Sequence, residues 1–139
     1  MANKQGVFII KLQYLTNCSL LMLVYLAEEN RIITSRELEE KIHFPQQSVF
    51  SAGRKLKKLG FIDTVNGPFG GYRLAKPPEK ISIQEILTAF KDAFYICGET
   101  PVQEASTPAL QNFVKRLLSV KDEMDRQMSF TLADLLEER

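Results

Sequence analysis

Residues 66–75 read NGPFGGYRLA, three glycines and a proline in ten positions, closing on an aromatic, a cation, a leucine and an alanine. So much backbone freedom suits two structures, a loop that cradles phosphate or the turn of a β-hairpin. The flanks decide between them. Upstream, FIDTV (61–65) alternates in the manner of a half-buried strand; downstream, YRLA (72–75) resumes extended character until Pro77 and Pro78 stop it. A phosphate-binding loop joins a strand to a helix N-terminus, and a Walker loop also needs Gly-Lys-Ser/Thr; neither is present. Strand, glycine-rich turn, strand is a hairpin. Gly67, Gly70 and Gly71 are the residues able to take positive φ in its turn, and Asn66 tolerates it.

Immediately before the hairpin, Val49, Ala52, Leu56 and Leu59 keep helical spacing from Gln46 onward, and Gly60 ends the run as a C-terminal glycine does. The opposite face of this helix carries Gln46, Gln47, Ser48, Ser51, Arg54, Lys55 and Lys58, with no acid among them. Pro45 disfavours helix at Phe44 yet suits the first turn of a new one, so HFP (43–45) separates it from a shorter helix over about 35–42. That shorter helix opens on ITSREL, with Thr34 as N-cap, Glu37 closing a capping box, and Ile33 and Leu38 as a hydrophobic staple. Ahead of it, an apolar stripe from about Val7 through Leu12, Leu15, Leu20, Leu23, Val24 and Ala27 predicts a first helix buried on one side, its start left open by the uniformly apolar early part.

After the hairpin, Ser82 and Glu85 form a second capping box with Ile81 and Ile86 as its staple, opening a helix that buries Ile83, Ile86, Leu87, Phe90 and Phe94. A polar loop, Gly98 to Thr107, follows. Thr107 and Pro108 then start a helix of roughly twenty residues in which Leu110, Phe113, Val114, Leu117, Leu118, Lys121, Met124 and Met128 recur at three-four spacing. Such a stripe at the end of a small domain needs a packing partner, and a second copy of the same helix supplies one; a homodimer is expected. Met124 and Met128 read as interface or core filler.

With 139 residues and 45% hydrophobic content, the chain fits one small globular unit. The expected fold is mainly α with a small β-hairpin, divided into a DNA-binding part at 1–80 and a linker helix, loop and dimerisation helix at 81–139. The longest apolar run, Leu20 to Ala27, is too short to cross a bilayer, and no signal peptide is recognisable, so a cytoplasmic location away from membranes is expected. Cys18 and Cys97 form no CxxC pair and are expected to be free thiols. Net charge is only +1, yet residues 46–80 hold seven Lys or Arg against Asp63 and Glu79, while residues 81–139 hold six against ten acids.

Two short helices joined by a tight turn, the second basic and polar on its exposed side, then a hairpin, is the winged helix-turn-helix order. Its third helix can enter a major groove, where amides and hydroxyls read base edges and cations hold phosphates. Gln46, Gln47, Ser48 and Ser51 are the candidates for base-edge or adjacent backbone contacts, and Arg54, Lys55 and Lys58 for phosphates. The wing, Asn66 to Tyr72 with Arg73 and Lys76, would reach the flanking backbone or minor groove.

The stretch LGFIDTVNGPFGGYRLAKPPEKISIQEIL (59–87) resembles the Rrf2 family of bacterial winged-helix transcription regulators, which shows a glycine after the recognition helix, a G-x-x-GGY-x-LA wing and a following I-x-x-x-EI helix. The likeness extends back through SLLMLVYLA and SRELEEKIHFP and forward to TLADLL. It implies a dimeric, sequence-specific repressor or activator, crossed through its long C-terminal helices, on an imperfect palindrome of double-stranded DNA; repression is the expected mode. Asn66 stands where members often carry arginine, Ser48 replaces a common tyrosine, and Ala52 and Gly53 occupy positions of larger apolar residues, so the target sequence is expected to differ. Gly53 should weaken the helix by ~1 kcal/mol relative to alanine. Cluster-binding members carry three cysteines after the helix that begins at Ser82; here Cys97 stands alone, even with Glu99 and Glu104 nearby, and a cluster-free protein without a cofactor is expected.

Cys97 beside Gly98 could serve as a thiol sensor or be an inert half-buried thiol, whereas Cys18 leads into an apolar helix and reads as core. His43, the single histidine, has no partner ligands at metal spacing and reads as a turn or phosphate-contact residue. No Ser/His/Asp set, catalytic carboxylate motif or cofactor loop supports an enzyme. The alternative to DNA is a winged-helix interaction module whose basic helix docks an acidic protein. A small effector could enter between the Ser82 helix and the dimer helix, though no residue names it.

Overall fold

The structure, a computed structural model, describes residues 11–92, Tyr95 and 107–137. The first helix, α1 (Tyr14–Glu29), begins at Tyr14 and not near Val7. Gln13 is extended (φ −62°, ψ 151°) and its amide donates to Asp92 Oδ2 at 2.9 Å, so residues 11–13 are held out of helical geometry by a carboxylate from beyond α4. Residues 1–10 lie outside the described residues. Asn30 in left-handed geometry (φ 51°) ends α1 with its amide on Leu26 O.

The second helix, α2 (Ser35–Ile42), is capped by Thr34, whose hydroxyl accepts from the Glu37 amide at 3.1 Å. The capping box is only half formed. The Glu37 carboxylate turns instead to the guanidinium of Arg31 and the hydroxyl of Tyr25, which together hold it below the usual carboxylate range. The expected staple is present, with Ile33 and Leu38 fully buried. His43 takes the left-handed conformation (φ 60°) that lets the chain turn sharply from α2 into α3 (Gln46–Lys58). Gly60 (φ 86°) closes α3, with Phe61 N donating to Leu56 O at 3.0 Å.

Strands β1 (Ile62–Val65) and β2 (Gly71–Leu74) pair antiparallel, Ile62 opposite Leu74 and Val65 opposite Gly71. Ile33, just before α2, adds a one-residue third strand: its amide donates to Tyr72 O at 2.9 Å and Tyr72 N donates to its carbonyl at 2.8 Å. The hairpin is thereby fastened to the helix-turn-helix.

A 3-10 turn at Pro78–Lys80 leads into α4 (Ile83–Ala89), where Ser82 accepts from the Glu85 amide at 3.1 Å and Ile81 and Ile86 are fully buried. Phe94, expected on its buried side, lies outside the described residues. Helix α5 (Pro108–Gln127) spans 20 residues from its Thr107 cap, and α6 (Leu132–Glu137) then returns to pack on α1 and the 3-10 turn. Leu132 N donates to Ile81 O, Ile83 N to Phe130 O and Gln84 N to Met128 O, all within 2.8–2.9 Å. One core results, running through Met22, Leu23 and Leu26 of α1, Leu38 of α2, Val49 and Leu56 of α3, Ile86 of α4 and Leu132 of α6.

Helix α5 is the exception, for none of its residues is buried. Leu110, Phe113, Leu117, Leu118 and Val120 are 43–58% exposed. Among the described residues its contacts with the core lie toward its C-terminal end, through Met124, the following Met128, and Lys121 and Asp125 against the buried Tyr95. The fold is a winged helix-turn-helix with a long, largely unsupported C-terminal helix.

Candidate nucleic-acid interface

Helix α3 is anchored by Val49, Ala52, Gly53 and Leu56, all buried. At ~100° per residue, Gln47, Ser51, Arg54 and Lys58 fall along the opposite ridge. Gln47, Arg54 and Lys58 are exposed and Ser51 is half-buried beside them, its hydroxyl accepting from the Arg54 guanidinium at 3.3 Å. No acidic side chain lies on α3, so this ridge offers an amide, a hydroxyl and two fixed cations to an anionic partner.

The remaining expected contacts sit on the flanks and have partners within the chain. The Gln46 side-chain amide donates to Ser35 Oγ at 2.8 Å, joining α3 to the start of α2. Ser48 Oγ shares a 2.9 Å hydrogen bond with the hydroxyl of Tyr14, whose ring meets Phe44 edge-on at 5.1 Å. Lys55 is half-buried with its ammonium 4.5 Å from the centre of the Phe90 ring, tying α3 to the end of α4. Lys55 is thus set toward the body of the domain, away from the central ridge.

Sequence reasoning missed Phe50 and Tyr14. Phe50 is 41% exposed on the wing side of the ridge, where its ring suits apolar contact with a thymine methyl. The signal was available: position 50 is three after Gln47 and four before Arg54, on the exposed side of the helix that buries 49, 52 and 56. Tyr14, 59% exposed, is placed beside Ser48 only by the tertiary fold. Lys57 reaches β1, donating to Thr64 Oγ1 at 3.0 Å.

The wing is shaped by close approach as much as by turn geometry. Gly67 (φ 100°) and Gly71 (φ 155°) take positive φ as expected, but Gly70 and Asn66 do not. Gly70 is required for space: a Cβ there would lie 1.9 Å from Val65 O. Gly71 is required for both reasons, since its Cβ would meet Ile33 O at 2.2 Å. The turn itself is Gly67–Gly70, closed by Gly70 N on Gly67 O at 3.0 Å, with Pro68 and Phe69 at its corners. Arg73 is exposed opposite Asp63, and Lys76 sits 4.7 Å over the Phe61 ring and 3.6 Å from Glu85.

Tyr72 joins the two halves of the site. Its half-buried ring lies so close to α3 that a Cβ on Gly53 would come within 2.7 Å of Cε1. The glycine that looked like a weakness in α3 is the seat of the wing tyrosine. Burial pushes the Tyr72 hydroxyl up from its ordinary value, with the Arg54 charge nearby opposing. Between hairpin, α2 start and Phe50 lies a cleft of about 520 Å³ lined by Thr34, Ser35, Asn66, Pro68 and Tyr72.

Cys18 is fully buried in α1, where burial pushes its thiol up to about 11, so it packs as an apolar group and offers no thiolate. Cys97, Glu99 and Glu104 lie outside the described residues. A [2Fe–2S] centre takes four ligands, usually thiolates, and besides the buried Cys18 the sequence holds one cysteine, Cys97. Among the described residues no three His, Cys, Asp or Glu side chains converge as a metal site, and His43 serves as the cap of α2.

Hairpin, helix-turn-helix and basic ridge together define a winged-helix regulator. Residues 12–138 match the Rrf2 family, described as iron-dependent transcriptional regulators, and the chain belongs to that family. It is 31% identical over 87 residues to the HTH-type transcriptional regulator NsrR of Bacillus licheniformis, covering 61% of each chain. It is 33% identical over 79 residues to NsrR of Shouchella clausii, covering 55% of this chain and 53% of that one. The chain thus spans between half and two thirds of the length of these curated relatives. Among solved structures, CymR, the global cysteine regulator of B. subtilis, superposes with a TM-score of 0.73 at 19% identity, over 92% of this chain and 97% of that one. IscR of T. potens does so with a TM-score of 0.65 at 19% identity, over 95% and 88%. NsrR, CymR and IscR are regulators, not enzymes. Among the described residues no helix is long and apolar enough to cross a membrane.

Proposed function

We propose that this protein is a sequence-specific DNA-binding transcription regulator, a cytoplasmic repressor that acts as a homodimer on an imperfect palindrome and works without an iron–sulfur cluster. The observation that carries this reading is the acid-free ridge of α3, Gln47, Arg54 and Lys58 exposed and Ser51 half-buried among them, on a buried base. Gln47 and Ser51 read base edges in the major groove, Phe50 touches thymine methyls, and Arg54 and Lys58 hold phosphates on either side. Gln46 and Ser48, bonded to Ser35 and Tyr14, act from the flanks, and Lys55 exchanges its aromatic contact for a phosphate only at the edge of the interface.

The wing, Asn66, Gly67, Gly70, Gly71, Tyr72 and Arg73, follows the flanking backbone into the minor groove. The dimer forms through α5, whose apolar stripe has nothing else to cover it among the described residues. The cluster-free reading is supported by the donor set: Cys18 is buried in α1, and Cys97 is the one other cysteine of the sequence.

The test is fluorescence anisotropy of the reduced, metal-free protein on DNA from upstream of its own gene, with shuffled duplex as competitor. Binding that survives the competitor is expected. Gln47→Ala should relax the preference and weaken specific binding by ~10-fold, whereas Lys58→Ala should weaken all duplexes alike and lower the salt dependence. Equal binding to specific and shuffled DNA would overturn the reading and favour an acidic protein partner for the basic helix.

A further inference from the structure

The most exposed large apolar side chain among the described residues is neither in the core's margin nor on α5. Phe69, at the tip of the wing, is 91% exposed, against at most 59% for any other. The turn that carries it is built to hold it there. Pro68 fixes its own φ, Gly67 takes the positive φ that starts the turn, and Gly70 leaves no room for a Cβ against Val65 O. Behind the turn, β2 is fastened to Ile33 by two hydrogen bonds and to α3 by the Tyr72 ring seated on Gly53. A ring displayed on so constrained a support is not an accident of a loose loop.

The surroundings limit what the ring can meet. Between Asn66 and Lys76 there is no acid; Arg73 lies on β2 opposite Asp63, the one acid on β1, Lys76 follows the strand within reach of Glu85, and Lys57 is brought to the hairpin through Thr64. A lone aromatic at the tip of a hairpin that carries these cations further down, on the side of the basic ridge of α3, suits a partner that combines flat apolar faces with a rail of negative charge. A base-pair step in duplex DNA is such a partner. Resting on the DNA-binding reading above, we propose that Phe69 is a wedge: it enters the minor groove beside each half-site and inserts partly between two base pairs, unstacking them and bending the duplex. Apolar side chains used in this way open flexible pyrimidine–purine steps most easily, so Phe69 would add a preference for such a step at a position where no hydrogen bond reads the base.

The experiment uses the full chain and a duplex selected for tight binding. 2-Aminopurine replaces each flanking adenine in turn, and end-to-end energy transfer reports the bend. With the unaltered protein, fluorescence should rise several-fold at one flanking step, with shortening of the end-to-end distance. Phe69→Ala should abolish both signals and weaken binding ~10-fold, while Phe69→Leu, still an apolar wedge, should restore much of them. Because Phe69 is almost wholly exposed, neither change should alter folding or the oligomeric state.

Unchanged fluorescence and bend with Phe69→Ala would overturn the wedge while leaving the DNA-binding reading intact. A change in oligomeric state of free Phe69→Ala protein would overturn it in favour of a protein contact. Failure of the unaltered protein to prefer any duplex would overturn both.

Discussion

Gly71 carries two demands at once, a positive φ of 155° and a Cβ position 2.2 Å from Ile33 O, so no side chain fits without moving backbone. Gly71→Ala is expected to cost about 2–3 kcal/mol, read as a lower urea midpoint, and to loosen the wing. Gly53→Ala behaves differently. In an open helix the exchange would stabilise by ~1 kcal/mol, but here the new methyl displaces the Tyr72 ring, so that gain should be missing and DNA binding should fall. The glycines were legible as turn formers in residues 66–71; the separate reasons for each were not. Gly53 meets a ring nineteen positions away, and Gly70 meets a carbonyl of the opposite strand, relations that exist only once the hairpin is seated on α3. Cys18 was legible as core from the apolar run around it, and its buried thiol, pushed up to about 11, should resist alkylation at pH 8. With Cys97→Ser removing the other thiol, labelling should appear only on denaturation; labelling of the native variant would contradict the packing described for α1.

At the scale of elements, caps and turns fixed the boundaries because they are chemically local. Thr34, Ser82 and Thr107 each accept the amide three residues on, and α2, α4 and α5 start where those hydroxyls allow. Thr34→Ala should lower stability by about 1 kcal/mol, visible as a shifted urea midpoint with unchanged slope. What the local pattern could not reveal is competition for a side chain. Glu37 was expected to close the capping box, but Arg31 and Tyr25 reach it first across the α1–α2 corner. Since its folded-state pKa is depressed, the stabilisation from this carboxylate is present above its ordinary value of 4.5 and is lost as pH falls through the lower folded value. Glu37→Gln should therefore lower the urea midpoint at pH 7, and the difference from wild type should shrink on acidification below pH 4.5; a constant difference would contradict the assignment. The start of α1, left open by the apolar pattern, was hidden for the same kind of reason, because the bond from Gln13 to Asp92 spans 79 positions.

At the scale of the whole molecule, the helical stripe of α5 was plain in the sequence, and nothing among the described residues covers that stripe along most of its length. Fully burying a leucine, valine or phenylalanine contributes roughly 1.5–3 kcal/mol, so covering the exposed half of Leu110, Phe113, Leu117, Leu118 and Val120 would contribute several kcal/mol toward the cost of association. Leu117→Asp, placed mid-stripe, is expected to give a folded monomer by light scattering that binds a palindrome at least ten-fold more weakly, while a single half-site is bound as before. A two-fold dimer in turn requires two-fold DNA, with half-sites separated by about one helical turn or a multiple of it. The central claim is best tested by selecting binding sites from a library of randomised duplexes with the unmodified, metal-free protein. Enrichment of two inverted half-sites at fixed spacing is expected; a bound pool that stays random in sequence after repeated rounds would contradict it.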